Sequence, residues 1–348
     1  MVGTSSRAGE EPRGGRLRLA SRNSQRHDRP IRQWAQAVFA LTPFLPGLYV
    51  RPDLIRANSL NNVMISVTDM GRSVPFYEKL FGPSIRQADL ALFRLARGPR
   101  FFAVGPVKTG ATPAFVSYAI AVDDFDPDRL ATTLNAAGAT AQVAMRGDTR
   151  ELWVSDPDGY EIQLVDPRYG HGSGPRGDAG LPTVAPNAHT PLPLQSISHV
   201  TLSVRSGPKS KMFYEDILGL RVQAMQAQTA CYAVGRGPDF IAFGLNSNSA
   251  TATGAPNHAC FAIRQFDPNK VMGILADNGL EPIEYGNNAA IRPLTCRTRL
   301  RQRANNGGGP THPLGSYELY FNDPDNLTIQ IQDVTYCGGS GANGQICP

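Results

Sequence analysis

The sequence predicts an α+β fold built from two tandem copies of one module. The chain has 348 residues, which corresponds to about two domains of ordinary size. It also contains an internal repeat, because SVTDMGRSVPFYEKLFG at 66–82 is similar to SVRSGPKSKMFYEDILG at 203–219, an offset of 203 − 66 = 137 residues. A second similar pair follows at 151–164 and 318–331, ELWVSDPDGYEIQL and ELYFNDPDNLTIQI.

Both copies show the same order of predicted elements. An alternating strand, Val63–Val67 or His199–Val204, leads into a helix that contains Phe-Tyr-Glu and ends at Gly82 or Gly219. Glycine favours the left-handed conformation in which many helices end. Short β-rich runs, a further strand, a second helix and a return through Asp-Pro-Asp to a last apolar strand follow. Each module is therefore predicted to be a βαβββ unit repeated twice.

The predicted boundaries divide the chain into five parts. A leader covers 1–58, an N-terminal module 59–168, a linker rich in Gly, Pro, Ser and Thr 169–195, a C-terminal module 196–335, and a tail 336–348. These boundaries assign all the predicted strands and helices to the two modules.

The leader has basic residues followed by the apolar run Ile31–Val50, a pattern similar to an export signal. The protein would then be exported or periplasmic, and otherwise cytoplasmic. Pro43 and Pro46 argue against a stable membrane span. In an oxidising compartment, Cys337 and Cys347 could close a small disulfide loop.

Composition excludes several classes of protein. With 41% hydrophobic and 18% charged residues, the chain matches neither a disordered protein nor a membrane bundle. Lys and Arg exceed Asp and Glu by 34 − 29 = 5, and much of this excess lies in the leader and in Arg297–Arg303, which we interpret as a loop. A tail and a loop do not make the basic folded face that nucleic acid requires, so no nucleic-acid partner is expected.

The S-x-x-F-Y-x-x-x-[LF]-G helix and the D-P-D-[GN]-x-x-I-[QE]-[LI] return resemble the vicinal oxygen chelate superfamily, which includes glyoxalase I, bleomycin-resistance proteins and extradiol dioxygenases. The resemblance covers about 59–166 and 196–333. It implies that the paired βαβββ units of each module form a U-shaped mixed sheet around a cavity. Function varies widely within this fold and must be argued from the site.

The resemblance also implies where a metal would bind. The family positions fall on His199, His258 and Gln330 in the C-terminal module and on Asn62, Ser117 and Gln163 in the N-terminal module. Imidazoles are good ligands for divalent metals, whereas a hydroxyl and two amides offer no charge. We therefore expect one divalent metal, Fe(II) first, with Mn, Zn or Ni as alternatives, in the C-terminal module alone. The family usually has Glu where this chain has Gln330, and a metal-free module is the competing interpretation.

Two further residues suggest a type of chemistry. Tyr320 lies ten residues before Gln330, and His312 lies eight residues before Tyr320, spacings similar to the active-site tyrosine and acid-base histidine of catechol 2,3-dioxygenases. We therefore expect a ring-cleaving, extradiol-type dioxygenase. The alternatives are a glyoxalase-like lyase or isomerase, or a non-catalytic ligand-binding protein like the bleomycin-resistance members. The expected partner is a small aromatic or dicarbonyl-type molecule, and a homodimer is an open alternative.

Overall fold

A computed structural model of the chain describes residues 54–180, 190–226, 229–244, 256–284, 291–301 and 315–347. Within these ranges, each repeat forms one β-sheet with helices packed beside it. One hydrophobic cluster includes residues from both repeats. Phe102 and Phe261, for example, come from different repeats, and their ring centroids are 5.0 Å apart.

The first sheet has eight strands. They are β1 (Ala57–Val67), β2 (Ile85–Gln87), β3 (Leu90–Arg94), β4 (Phe101–Pro106), β5 (Ala114–Val122), β6 (Thr140–Arg146), β7 (Thr149–Ser155) and β8 (Glu161–Val165). Helix α1 (Met70–Phe81) follows β1, and α2 (Pro127–Ala136) follows β5. Their order in the sheet is β2-β3-β4-β1-β5-β8-β7-β6.

The second sheet has nine strands. They are β9 (Ser196–Leu202), β10 (Val222–Gln226), β11 (Thr229–Ala233), β12 (Phe240–Phe243), β13 (Pro256–Ile263), β14 (Glu281–Pro282), β15 (Thr295–Arg301), β16 (Ser316–Asn322) and β17 (Thr328–Asp333). Helix α3 (Gly207–Lys211) continues into a π-helical segment (Met212–Ile217), and α4 (Pro268–Asp277) follows β13. Their order is β10-β11-β12-β9-β13-β17-β16-β15-β14.

The two sheets share one topology, and this confirms the predicted tandem α+β fold. In each sheet the first strands of the two βαβββ units pair antiparallel at the centre, β1 with β5 and β9 with β13. The last strand of each unit pairs in parallel with the first strand of that unit, as β4 does with β1 and β17 with β13. The stretch Arg297–Arg301, interpreted from the sequence as part of a loop, belongs to β15 instead.

The second helix of each module begins in the same way. Asp126 and Asp267 are N-cap residues whose carboxylates accept hydrogen bonds from backbone N–H groups of the first turn. Each is followed by proline, which suits the first helical position because no partner is needed there for its missing N–H. The Asp-Pro pair in each repeat therefore sets the start of α2 and α4.

The helix that carries Phe-Tyr-Glu differs between the repeats. In the first repeat it is regular, and Phe76 is only partly buried while Tyr77 is buried. In the second repeat the α-helical part is five residues long and the π-helical part contains Phe213 and Tyr214, both buried. The single helix predicted for this repeat thus changes its geometry midway.

The repeated motifs meet across the two modules. Tyr77 Oη donates to Asp323 Oδ2 at 2.9 Å, and Tyr214 Oη donates to Asp156 Oδ2 at 3.2 Å. Each pair joins the Phe-Tyr-Glu helix of one repeat to the first aspartate of the Asp-Pro-Asp turn in the other repeat. Tyr118 Oη lies 3.0 Å from Tyr214 Oη and extends the second pair. Sequence similarity in these motifs therefore reflects a reciprocal contact between the modules.

Asp239 makes a further contact between the modules. Its Oδ2 accepts from the backbone N–H of Leu60 at 3.3 Å and lies 3.8 Å from Arg100 Nη1. Burial raises the pKa of Asp239 to about 7, although Arg100 and the Leu60 N–H group lower it. A carboxyl group in the second module is thus held against two groups of the first.

Two segments assigned from the sequence to the linker and the tail fold back onto the sheets. Tyr169 and Tyr336 are buried, and each precedes a short looped segment, 170–180 and 337–347, which we call the straps. The straps have matching isolated bridges, Ser173 with Ala179 and Ser340 with Ile346. A Cys337–Cys347 disulfide closes the second strap. Backbone carbonyls of both straps also accept hydrogen bonds from side chains of the modules, as Gly172 does from Arg146 and Gly341 from Ser316, so the straps are bonded to the sheets.

The predicted leader lies almost wholly outside the described residues, as does His312. In the part of the chain that the structure describes, no helix is both long enough and apolar enough to cross a membrane.

Candidate metal centre and substrate cavity

The second sheet brings His199, His258 and Gln330 into one buried group. They lie on β9, β13 and β17, which are neighbouring strands. The register places His199 opposite Cys260 and Cys260 opposite Gln330, and His258 lies two residues before Cys260. Residues in register or two apart point to the same face of a sheet. The exposed fractions are 3%, 8% and 1%, so all three side chains are withdrawn from solvent.

The two imidazole rings stand nearly perpendicular to each other, at 83°, with their Nε2 atoms 3.3 Å apart. His258 Nδ1 lies 2.9 Å from Asn257 Oδ1, which can only accept, so Nδ1 carries the proton and Nε2 presents a lone pair. His199 Nδ1 lies 3.3 Å from the Ser198 hydroxyl, and its ring stacks on Phe240 with centroids 4.4 Å apart. Neighbouring side chains thus fix both rings.

Gln330 is the unusual member of the group. Neither its Oε1 nor its Nε2 has a hydrogen-bond partner of acceptable geometry among the described residues. Each buried polar group left in this way costs about 1–3 kcal/mol. Native proteins retain such groups rarely, and a bound ion is one of the reasons for doing so.

The geometry of the group fits a divalent ion. Two nitrogens bound at about 2.1 Å to one ion stand roughly 3.0–3.4 Å apart at ordinary coordination angles, and the observed separation is 3.3 Å. The same separation allows an N–H···N hydrogen bond between the rings in the metal-free protein. The described residues contain no cluster of three or more His, Cys, Asp or Glu side chains suited to a metal. An ion would therefore depend on two imidazoles and the neutral amide of Gln330.

The protonation of His258 suits a ligand. Burial lowers the pKa of His258 to about 4, and the nearby cations Arg301 and Arg297 act in the same direction. The Glu318 carboxylate opposes this shift, and so does the nearby Gln330 amide, although its contact with the His258 ring lacks the geometry of a hydrogen bond. The imidazole is therefore neutral at neutral pH, as metal binding requires.

A buried carboxylate, Glu318 on β16, organises the wall beside the histidines. It accepts from Tyr320 Oη at 2.8 Å, from Tyr336 Oη at 3.2 Å and from Arg301 Nε at 3.0 Å. Burial, together with the charge of Glu318, raises the pKa of Tyr320 well above its ordinary value. The Tyr320 proton is thus directed to Glu318, while the ring stands edge-on to His258 with centroids 5.5 Å apart.

The group opens into a cavity of about 360 Å³, a volume in the range of small-molecule sites. Three arginines form one wall, Arg297, Arg299 and Arg301, which alternate along β15 and so share a face. Arg297 is buried, donates from Nη1 to Asn322 Oδ1 at 2.7 Å, and lies 5.3 Å from the ring centroid of Tyr320.

The first sheet holds the corresponding positions without the histidines. Asn62 lies opposite Ala119, Ala119 opposite Gln163, and Ser117 two residues before Ala119, in the same register as the group in the second sheet. Asn62 Nδ2 donates to Asn61 Oδ1 at 3.0 Å, and Gln163 Nε2 donates to the Tyr169 hydroxyl at 3.3 Å. These side chains form hydrogen bonds within the protein, in contrast to Gln330.

Apolar side chains fill the space that the cavity occupies in the second module. Four positions that match by strand register carry larger residues in the first sheet than in the second. The larger ones are Met64, Leu90, Leu92 and Ile85, and their counterparts are Thr201, Thr229, Cys231 and Ala224. The larger residues pack with Phe101 and Tyr169 in a separate hydrophobic cluster. Both ligand chemistry and side-chain volume thus restrict the candidate site to the second module.

Glu318, Tyr336 and the arginine wall were not predicted as site residues from the sequence. Glu318 begins the second copy of a quoted repeat, and Tyr336 matches Tyr169 at the same offset, 318 − 151 = 336 − 169 = 167. The alternation R-x-R-x-R at 297–301 was a strand signal that the basic composition obscured. The roles assigned to Tyr320 and His312 stay predictions.

Comparison with solved structures shows the fold. A Mn(II)-bound glyoxalase from Novosphingobium aromaticivorans is similar with a TM-score of 0.57 and 17% identity, over 80% of this chain and 82% of that one. The 2,3-dioxygenase LapB from Pseudomonas sp. KL28 is similar with a TM-score of 0.56 and 13% identity, over 80% and 92%. A homoprotocatechuate 2,3-dioxygenase variant from Brevibacterium fuscum is similar with a TM-score of 0.53 and 18% identity, over 80% of this chain and 73% of that one.

These similarities confirm the predicted tandem vicinal oxygen chelate fold, which covers most of the chain outside the leader. No protein-family model matches the sequence, and no curated protein sequence matches it either. At these identities, the activity of this chain must be argued from its own side chains.

Proposed function

We propose that the cavity of the C-terminal module is the active site of a metal-dependent enzyme acting on a small oxygen-bearing molecule, and that the reaction is extradiol-type ring cleavage. One observation carries the proposal, namely that two imidazole Nε2 atoms 3.3 Å apart lie beside a buried amide without hydrogen bonds at the edge of a cavity. A divalent ion bound there would supply Lewis acidity to substrate oxygens and sites for their coordination.

The surrounding side chains would position the substrate. The Tyr320 hydroxyl donates to Glu318, so its remaining lone pair can accept a hydrogen bond from a substrate hydroxyl. The Tyr320 ring and the stacked pair of His199 and Phe240 provide flat apolar surfaces for an aromatic ring. A second candidate reaction is glyoxalase-like proton transfer, which the position of Glu318 favours because a buried carboxylate close to the ligands could act as the base.

Metal analysis tests the proposal at its first step. Wild-type protein incubated with Fe(II) under anaerobic conditions, or with Mn(II), should retain close to one ion per chain after desalting. The His199→Ala and His258→Ala variants should retain almost none. Asn62→Ala changes the equivalent position in the first sheet and should retain the wild-type amount. Failure of the wild type to bind any of Fe, Mn, Zn or Ni would contradict the proposal and favour a non-catalytic binding protein.

Activity assays separate the two reactions. Oxygen consumption on addition of 3,4-dihydroxybenzoate or catechol to Fe(II)-loaded protein is expected for ring cleavage. Turnover of the methylglyoxal–glutathione hemithioacetal without oxygen consumption would instead identify glyoxalase-like chemistry. The Glu318→Gln variant distinguishes them further, because it removes the base that the second reaction needs while keeping a side chain of similar size.

A further inference from the structure

We propose that the substrate carries a carboxylate and that Arg297 and Arg299, on the wall of the cavity formed by β15, bind it. This inference rests on the proposed function, in that it takes the same cavity as the substrate site. The inference adds the chemical class of the substrate to that proposed function.

The first supporting observation is the comparison of the two modules. By strand register, Arg301 corresponds to Arg146, and each pairs with the glutamate that also accepts from the buried tyrosine before the strap. An arginine at this position, with its glutamate and tyrosine partners, is therefore common to both modules. Arg297 and Arg299 correspond instead to Gln142 and Ala144. Two arginines are thus present in the module that has the cavity and the histidines, and absent from the equivalent strand of the other module.

The second observation is the charge of the cavity. Its described lining contains three guanidinium groups and one carboxylate, so the net charge is 3 − 1 = +2 with neutral histidines. A divalent ion would increase this excess. Positive charge in excess along the described lining favours an anionic over a neutral ligand.

The third observation concerns geometry. Arg297 and Arg299 lie two residues apart on one face of β15, about 7 Å along the strand. β15 is separated from the strand of Gln330 only by β16, a distance of about 10 Å across the sheet. A substrate with its oxygens at the histidines can therefore extend its far end to the arginines. The planar fork of arginine matches a carboxylate with two parallel hydrogen bonds.

Two ligands that differ only in charge test the inference. The dissociation constants of 3,4-dihydroxybenzoate and 3,4-dihydroxybenzamide are measured by calorimetry, with metal-free and with Mn(II)-loaded full-length protein. The wild type should bind the benzoate about tenfold or more tightly than the benzamide, as expected for a charge-assisted bidentate contact. The preference should be present in both metal states, since the arginines belong to the protein.

Variants assign the preference to the wall. Arg299→Gln should reduce it to about threefold or less, and Arg299→Lys should leave an intermediate preference because the charge stays but the fork is lost. Arg297→Lys should act like Arg299→Lys. Arg129→Gln removes one positive charge from the exposed face of α2 and should keep the full preference. Thermal melts verify that each variant is folded.

Several outcomes would overturn the inference: equal affinities in the wild type, no binding of either compound, or a preference that Arg299→Gln and Arg297→Lys leave unchanged. A carboxylate preference in a protein that binds no metal would support this inference and contradict the proposed function. Metal binding by a protein that does not prefer the carboxylate would support the proposed function and contradict this inference.

Discussion

Replacing Gln330 by methionine should stabilise the metal-free protein and weaken metal binding. The two side chains have similar length and volume, but methionine contains no polar group that requires a partner. In the structure both amide atoms of Gln330 are buried and lack hydrogen bonds among the described residues. At about 1–3 kcal/mol for each buried unsatisfied group, and with partial compensation by local adjustment, Gln330→Met should raise the free energy of unfolding by about 1–3 kcal/mol.

The metal should respond in the opposite direction. Removing a residue that only hydrogen-bonds to a metal ligand typically lowers metal affinity by roughly 10–100-fold. Loss of one of the three ligands themselves should lower the affinity for the metal by at least this factor. Urea unfolding of EDTA-treated protein measures the first effect, and titration with Mn(II) measures the second. A stabilising change that removes binding is typical of a residue retained for function.

The first sheet provides a matched control. Gln163 occupies the equivalent position, but its Nε2 donates to the Tyr169 hydroxyl at 3.3 Å. Gln163→Met should therefore destabilise the protein by about 0.5–1.5 kcal/mol and leave metal affinity unchanged. If Gln330→Met instead lowers stability as much as Gln163→Met and metal affinity is unaltered, the amide of Gln330 has a structural role and our assignment of the ligand is wrong.

Three further predictions concern pH, the second strap and the tyrosine. The pKa of Asp239 is raised to about 7 in the folded protein. The stability that its protonated form provides is therefore fully present below the pKa of an unfolded-state aspartate, roughly 3.9, and is lost as the pH rises through 7. Between pH 5 and pH 8, the free energy of unfolding measured in urea should fall by roughly 2–3 kcal/mol more for the wild type than for Asp239→Asn. Cys337→Ser should lower the free energy of unfolding by about 2–3 kcal/mol, and reductant should do the same to the wild type but not to the variant. Tyr320→Phe removes one donor to Glu318 and should lower the free energy of unfolding by about 1–2 kcal/mol, with the metal content unchanged.

Each of these has a result that would contradict it. Parallel pH profiles for the wild type and Asp239→Asn would mean that this carboxyl group titrates normally. Equal stability of oxidised and reduced wild type would mean that hydrogen bonds suffice to hold the second strap, as they hold the first, in which Gly170 and Gly180 replace the two cysteines. Loss of metal from Tyr320→Phe would show that the tyrosine positions His258 rather than the substrate.

The sequence was sufficient to predict the two modules and the proximity of the two histidines. The repeats indicated two modules, and the family resemblance placed His199 and His258 at metal-binding positions; the pairing of β9 with β13 in the structure brings these two residues together. The partners of Glu318 could not be predicted in this way. Arg301 lies on another strand, β15, and Tyr336 precedes the second strap, and neither position follows from a local sequence pattern. The cavity itself depends on the volumes of side chains on four strands, which become neighbours only through register.

The reciprocal contacts between helix tyrosines and turn aspartates have a consequence for how the two halves of the chain have diverged. Burial raises the pKa of Asp323 to about 6, and its side-chain donor, Tyr77, comes from the other half. Asp156 depends in the same way on Tyr214. A half expressed alone would expose these groups and lose their partners, so we expect neither half to be stable by itself. The first half, which has neither the histidines nor the open cavity, thus contributes buried contacts that the half with the histidines depends on.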